Sequence, residues 1–182
     1  MFDGATEEEI ERAVDAAAQV CLECGALDGL LANTEERQES IWSPRGAFLE
    51  AIKASTTEMD ECDIVVPRTA IADFIEFVGE TATRTGLRMK SFGHAGDGNC
   101  HIYLLRDDLP QNEWQQRRDA AFEQLYARAR QLGGKVSGEH GIGYAKQPYL
   151  AAAEGPLVLN LMRQIKQAFD PKGILNPGKV IG

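Results

Sequence analysis

The sequence predicts an α+β domain: an antiparallel sheet flanked by helices, with a helical C-terminal segment. Three observations predict it. Stretches with apolar residues at helical spacing alternate with short runs of strand-forming residues. Asp97-Gly98, a strong turn signal, joins two of those runs into a hairpin. The last third carries an amphipathic segment from Pro156 to Phe169, stopped by Asp170-Pro171. At 182 residues the chain is long enough for one good-sized domain with its own core.

The elements follow in order. The opening Met1-Phe2-Asp3-Gly4 reads as the end of a strand whose beginning lies elsewhere, so a fragment of a longer polypeptide is expected. Thr6 to Cys24 is helical: Thr6 and Glu9 have capping-box spacing, Ile10, Val14, Ala17 and Cys21 form the apolar stripe, and Gly25 ends it. Cys21 and Cys24 share that face and are expected to pack. A short strand is expected over Leu27–Leu31, then a helix from Thr34 to Ile52 interrupted near Ser43-Pro44. Ile64-Val65-Val66 is a β-branched strand ended by Pro67, with Cys62 near its start. Ala70 to Thr85 is an amphipathic helix with Ile71, Phe74, Ile75 and Val78 inward. Leu87–Phe92 and Asn99–Leu105 are strands, Pro110–Leu132 a long polar helix, Lys135–Ser137 a brief strand, and Ile174 to Gly182 a glycine- and proline-rich tail.

Composition excludes several classes of function. A hydrophobic content of 43% is ordinary for a soluble globular protein, and a net charge of −9 without a basic cluster argues against nucleic acid or an anionic membrane as partner. No apolar run approaches a membrane span, and no signal peptide is evident. Four cysteines without a secretory signal point to free thiols and a cytoplasmic location.

The chemistry concentrates in two segments that hold all three histidines: Gly93-His94-Ala95-Gly96-Asp97-Gly98-Asn99-Cys100-His101 and Ser137-Gly138-Glu139-His140-Gly141-Ile142-Gly143. His94 and His101 are seven residues apart, which on one straight strand puts them on opposite faces. A four-residue turn over residues 95–98 removes the conflict. It sets His94 across from Asn99 and His101 across from Phe92, so His94, Asn99 and His101 share a face, with the histidines diagonal neighbours roughly 7–8 Å apart at the backbone. Cys100 then faces the other way. Two imidazoles at that spacing, with Glu139 from the second segment, form a candidate divalent-metal site with open coordination positions. His140 is left to move a proton, its intrinsic pKa being suited to that work near neutrality. The glycines at 138, 141 and 143 leave room for something to approach the backbone.

These residues resemble the C-terminal half of the FAD-linked oxidases, the group of D-lactate dehydrogenase, the glycolate oxidase D subunit and D-2-hydroxyglutarate dehydrogenase. The likeness lies in Gly93–His101, in Ser137–Gly143 with Lys146, in the tail Asp170-Pro171-Lys172-Gly173-Ile174-Leu175-Asn176-Pro177-Gly178-Lys179, in Glu39–Phe48 with Trp42 and Arg45, and in Asp63–Arg68. The resemblance implies a ferredoxin-like substrate or cap domain covering residues 1–182, and a flavoenzyme that oxidises a D-2-hydroxy acid to the 2-oxo acid. It further implies that the FAD-binding domain lies outside this chain, in which no dinucleotide fingerprint occurs. By the same resemblance, His94, His101 and Glu139 would hold zinc, iron(II) or manganese, and Asn99 would contact substrate. His140 would be the base and Arg45 would pair with the substrate carboxylate. Gly141, Gly143, Lys146 and Asn176 would approach the flavin or its domain. An electron-transfer flavoprotein or another redox subunit is implied as partner. In 2-hydroxyglutarate enzymes a lysine follows the arginine; Asp60 and Glu61 stand near that place here, which favours a monocarboxylate such as lactate or glycolate. The residues alone leave two other readings open: a metal-dependent hydrolase, in which His140 or Asp97 activates water, and a non-catalytic docking module.

Overall fold

A computed structural model describes residues 2–181, and the chain divides into two compact units, Met1–Leu49 and Glu50–Gly182. The first unit holds α1 (Glu7–Glu23) and the greater part of α2 (Glu35–Ala54), which carries the chain into the second unit. Thr6 caps α1 by accepting the Glu9 N–H at 3.3 Å, and Glu9 answers by accepting the Ala5 N–H at 3.0 Å. Cys21 and Cys24 are exposed rather than packed, because α1 has no fully buried face. The strand expected at Leu27–Leu31 does not form, and those residues are irregular and largely exposed. Nor does α2 break at Ser43-Pro44. The ring of Pro44 fixes a helical φ and removes one donor, so the remaining hydrogen bonds of a twenty-residue helix carry the chain through. Of the strand end expected at residues 1–4, Met1 lies outside the described residues and 2–4 have no regular structure.

The second unit is α+β as expected. A three-stranded antiparallel sheet has the order β1-β3-β2, formed by β1 (Met59–Val65), β2 (Arg88–His94) and β3 (Asn99–Leu105). A 3₁₀ turn at Arg68–Ala70 leads into α3 (Ile71–Thr85), and α4 (Gln111–Gln131) follows β3. The order β1-α3-β2-β3-α4 is a split βαβ arrangement whose fourth strand is rudimentary. The strand expected at Lys135–Ser137 is reduced to one antiparallel bridge, Val65 with Lys135, since Gly134 is pressed against the carbonyls of Val65 and Ala129. A short helix not anticipated, α5 (Gln147–Ala153), precedes α6 (Pro156–Phe169).

β1 begins five residues before the β-branched run, so Cys62 sits mid-strand. Strand period two explains the extension: Cys62 and Ile64 point into the core, while Glu61 and Asp63 point to the opposite face. The core lies between one sheet face and α3 with α4. It is built from Cys62, Ile64, Phe74, Val78, Ile102, Leu104, Trp114 and Leu125, all buried. On α3, Phe74, Val78 and Thr81 are inward, and Ile75 is turned partly outward at 37% exposure. The nominally polar α4 buries Trp114, Ala121, Phe122, Leu125, Tyr126 and Ala129, one helical stripe among charged residues. Among the described residues no helix is long and apolar enough to cross a membrane.

Candidate active site and metal centre

The site is built on the sheet face opposite the core. β2 and β3 pair with His94 opposite Asn99 and Phe92 opposite His101, the register that a turn over residues 95–98 demands. Gly98 closes that turn at φ 87°, and a Cβ there would lie 2.0 Å from the Val66 carbonyl oxygen. β1 pairs with β3 so that Asp63 is opposite His101 and Glu61 opposite Tyr103. Glu61, Asp63, His94, Asn99 and His101 thus share one face.

The segment Ser137–Gly143 lies over this face because buried Asp63 holds it. The Asp63 carboxylate accepts the Ser137 hydroxyl (2.7 Å), the N–H groups of Gly138 (3.2 Å), Glu139 (3.3 Å) and His140 (2.9 Å), and the Lys146 ammonium (3.1 Å). Successive N–H groups converging on one anion form a nest. Burial by itself would raise the pKa of Asp63. The hydrogen bonds from Ser137, the His140 N–H and Lys146 outweigh burial and hold the carboxyl far below the usual carboxylate range. Ser137 also accepts the Gly141 N–H at 2.8 Å. Gly138 must be glycine, since a Cβ there would lie 2.1 Å from Asn99 Oδ1.

With the loop so placed, Glu139 Oε1 lies 2.9 Å from His101 Nε2, 3.8 Å from His94 Nε2 and 3.7 Å from His140 Nε2. One carboxylate oxygen is therefore ringed by three imidazole nitrogens. The ligand atoms of His94, His101 and Glu139 all lie within 4.8 Å of one another. Ligands bound at ~2.1 Å around a tetrahedral ion are about 3.4 Å apart, and Glu139 Oε1 brackets that spacing with 2.9 Å to His101 and 3.8 Å to His94. The donor set also fits: two imidazoles and one carboxylate are ligand types that divalent zinc, iron and manganese accept. The His101 and His140 rings are stacked, with centroids 4.9 Å apart, and the His94 ring meets His101 edge-on at 5.8 Å. His101 is buried, whereas His94, Glu139 and His140 remain open to solvent. The Asn99 amide nitrogen lies 3.5 Å from His101 Nε2, and its buried Oδ1, against Gly138, has no hydrogen-bond partner.

The whole chain from end to end matches known proteins. The family model described as "FAD linked oxidases, C-terminal domain" matches residues 1–180. The chain belongs to the FAD-linked oxidases. It is 45% identical to a D-lactate dehydrogenase of Anaerostipes hadrus over 98% of this chain and 38% of that relative. To glycolate oxidase subunit GlcD of Bacillus subtilis it is 34% identical over 95% of this chain and 37% of the relative. To a D-2-hydroxyglutarate dehydrogenase of Stutzerimonas stutzeri it is 30% identical over 98% and 39%. This FAD-linked oxidase chain therefore spans less than two fifths of the length of these relatives.

The remaining anticipated residues are placed as follows. Arg45 lies within α2 in the first unit, its guanidinium 5.8 Å from the Trp42 ring centroid. Gly141 and Gly143 sit in the exposed part of the loop with φ of 78° and 57°. Lys146 turns its ammonium inward to Asp63, with a side chain only 12% exposed. Asn176 opens the tail turn at φ 47°, and that turn is tied to the loop where the Val180 N–H donates to the Gly143 carbonyl at 2.7 Å. Two carboxylates prove central: Asp63, to which sequence reasoning assigned no site role, and Glu61, which it weighed only for substrate choice. Glu61 Oε1 lies 3.0 Å from His101 Nδ1 and 3.5 Å from His140 Nδ1. Extending β1 back to Met59 by its alternation is the signal that would have put both carboxylates on the histidine face.

Proposed function

We propose that this chain, as a single C-terminal substrate domain, forms the metal-bearing side of a flavin-dependent dehydrogenase that oxidises a D-2-hydroxy monocarboxylate, lactate or glycolate, to the 2-oxo acid. The convergence of His94, His101 and Glu139 beside His140 carries the reading, and membership of the FAD-linked oxidases supports the flavin. His94 Nε2, His101 Nε2 and Glu139 Oε1 would hold a divalent cation, zinc, iron(II) or manganese, which supplies Lewis acidity that lowers the pKa of a substrate hydroxyl. FAD, bound mainly by a domain outside this chain, supplies the hydride acceptor that no side chain can provide.

The chain's own residues do the rest. The family resemblance gives Arg45 the substrate carboxylate, which its two-pronged guanidinium suits. The Asn99 amide nitrogen donates to a substrate oxygen beside His101. His140 Nε2 takes the hydroxyl proton while the Cα hydrogen leaves with its electron pair and the C–O bond becomes double, so charge and atoms balance. The backbone of Gly141 and Gly143, with Asn176 and the tail turn, faces the flavin domain, and Lys146 keeps the loop in place through Asp63. An electron-transfer flavoprotein or a comparable redox subunit would accept the two electrons that leave with the hydride. The hydrolytic and docking readings draw no support from the family membership.

Elemental analysis of the purified chain tests the metal. About one divalent ion per chain is expected, lost in His94→Ala, His101→Ala and Glu139→Ala. With the FAD-binding part supplied, His140→Ala should slow D-lactate-driven flavin bleaching by about 10²–10⁴-fold while the ion stays bound. Unchanged bleaching in that variant, or metal retained in all three ligand variants, would overturn the proposal.

A further inference from the structure

We propose that Glu61 is a positioning residue that fixes the ring of His101 and borders that of His140. The inference rests on the reading of His94, His101 and Glu139 as cation ligands. The two stacked imidazoles are clamped at both ends. At one end both Nδ1 atoms address the same oxygen, Glu61 Oε1, at 3.0 Å for His101 and 3.5 Å for His140. At the other end both Nε2 atoms address Glu139 Oε1, at 2.9 Å and 3.7 Å. With a cation held at Nε2 beside Glu139, the one remaining ring proton of His101 sits on Nδ1, where the Glu61 carboxylate accepts it and fixes the ring. The same oxygen also faces His140 Nδ1 at 3.5 Å, so one carboxylate borders both rings.

Glu61 stands opposite Tyr103 in the β1–β3 register, where burial first and then the Glu61 charge push the Tyr103 phenol well above its ordinary value. The side chain is 28% exposed. Glu61, His101 and His140 also have ligand atoms within 4.8 Å of one another, so they could in principle hold an ion themselves. Against that, Glu61 Oε1 stands at hydrogen-bond distance from His101 Nδ1, the pairing that a carboxylate behind a ligand histidine makes.

The test uses the full chain with zinc(II) affinity measured by chelator competition and the visible spectrum of the cobalt(II)-loaded form. Glu61→Ala should weaken zinc binding by about 10–100-fold and alter the cobalt(II) band. Glu61→Gln should restore most of the affinity, because its amide oxygen still accepts from His101 Nδ1. Glu139→Ala serves as the ligand control and should lose binding outright. Wild-type affinity in Glu61→Ala, with Glu139→Ala still defective, would overturn the role of Glu61 and leave the ligand set standing. Loss in both Glu61 variants as complete as in Glu139→Ala would make Glu61 a ligand and likewise overturn it. No binding by the wild-type chain would overturn the ligand set and this inference together. Should Glu61→Ala fail to fold, the nearly isosteric Glu61→Gln decides, since its carbonyl satisfies the positioning role but not that of an anionic ligand.

Discussion

Replacing Asp63 by asparagine removes the charge on which the loop is built. Asp63 has no exposed surface and the Lys146 side chain is 12% exposed, so their 3.1 Å ion pair is largely shielded from water. Asparagine keeps one acceptor oxygen but sets an NH₂ group among the Ser137 hydroxyl, the N–H groups of Gly138, Glu139 and His140, and an ammonium. Breaking one half of a buried pair costs about 3–5 kcal/mol. Lys146→Met should cost less, about 1.5–3 kcal/mol, because the carboxylate retains its hydroxyl and backbone donors. The double variant should be less destabilised than the sum of the two, by about 1–3 kcal/mol, since it leaves no unpaired charge.

Urea unfolding followed by tryptophan fluorescence provides the assay. Trp114 is fully buried in the second unit and Trp42 is half exposed in the first, so the signal change reports mainly the core next to Asp63. With a slope of about 2 kcal/mol per molar urea, Asp63→Asn should lower the midpoint by roughly 1.5–2.5 M. A shift below about 0.3 M, or a strictly additive double variant, would refute the claim that this buried pair anchors the loop.

Three further outcomes are expected. Gly138→Ala should destabilise by about 1–3 kcal/mol in urea unfolding and lose metal affinity, its Cβ falling 2.1 Å from Asn99 Oδ1; Gly141→Ala has open space around its Cβ and should cost only about 1 kcal/mol, from its φ of 78°. Thiol titration with an aromatic disulfide should find Cys21 and Cys24 fast and Cys62 and Cys100 silent until unfolding, since burial pushes the Cys62 thiol up to about 12 and raises that of Cys100. Asp170 is held below the ordinary aspartate value first by its hydrogen bond from Lys166 and then by the N–H groups of Leu175 and Ile174, against the opposing effect of burial. Its support of the tail turn is therefore complete above about pH 3.9 and is lost as pH falls through the depressed folded value. The amide NMR shifts of Ile174 and Leu175 should titrate with a midpoint below 3.9, and a midpoint at or above it would contradict the assignment.

Elements whose shape is decided locally were legible. Thr6 and Glu9 start α1, Gly86 ends α3 in the left-handed conformation, and Asp97-Gly98 sets the β2–β3 register to the residue. Elements decided by packing were not. Leu27–Leu31 carries the apolar residues of a strand but has no partner strand among the described residues, and Met59–Asp63 lacks β-branched residues yet pairs residue for residue with β3 from Leu105 back to His101. Cys21 and Cys24 were expected to pack because they share a helical face, and both are exposed.

The site divides along the same line. His94, Asn99 and His101 are neighbours through a turn, so their convergence follows from strand period two and a four-residue loop. Glu139 and His140 arrive from a segment about forty residues on, and what delivers them is a long-range contact, the nest around Asp63. A carboxylate in an acidic run, Asp60-Glu61-Cys62-Asp63, has the local look of a solvated edge. Only the antiparallel register to β3 shows that alternate members of that run turn to the histidines, while Asp60 turns away to Arg118 at 3.4 Å. The acids at 60 and 61, weighed from the sequence as one feature bearing on substrate choice, thus have separate fates on opposite faces of a strand. Substitution at Glu61 should disturb the imidazoles, and substitution at Asp60 should leave them in place.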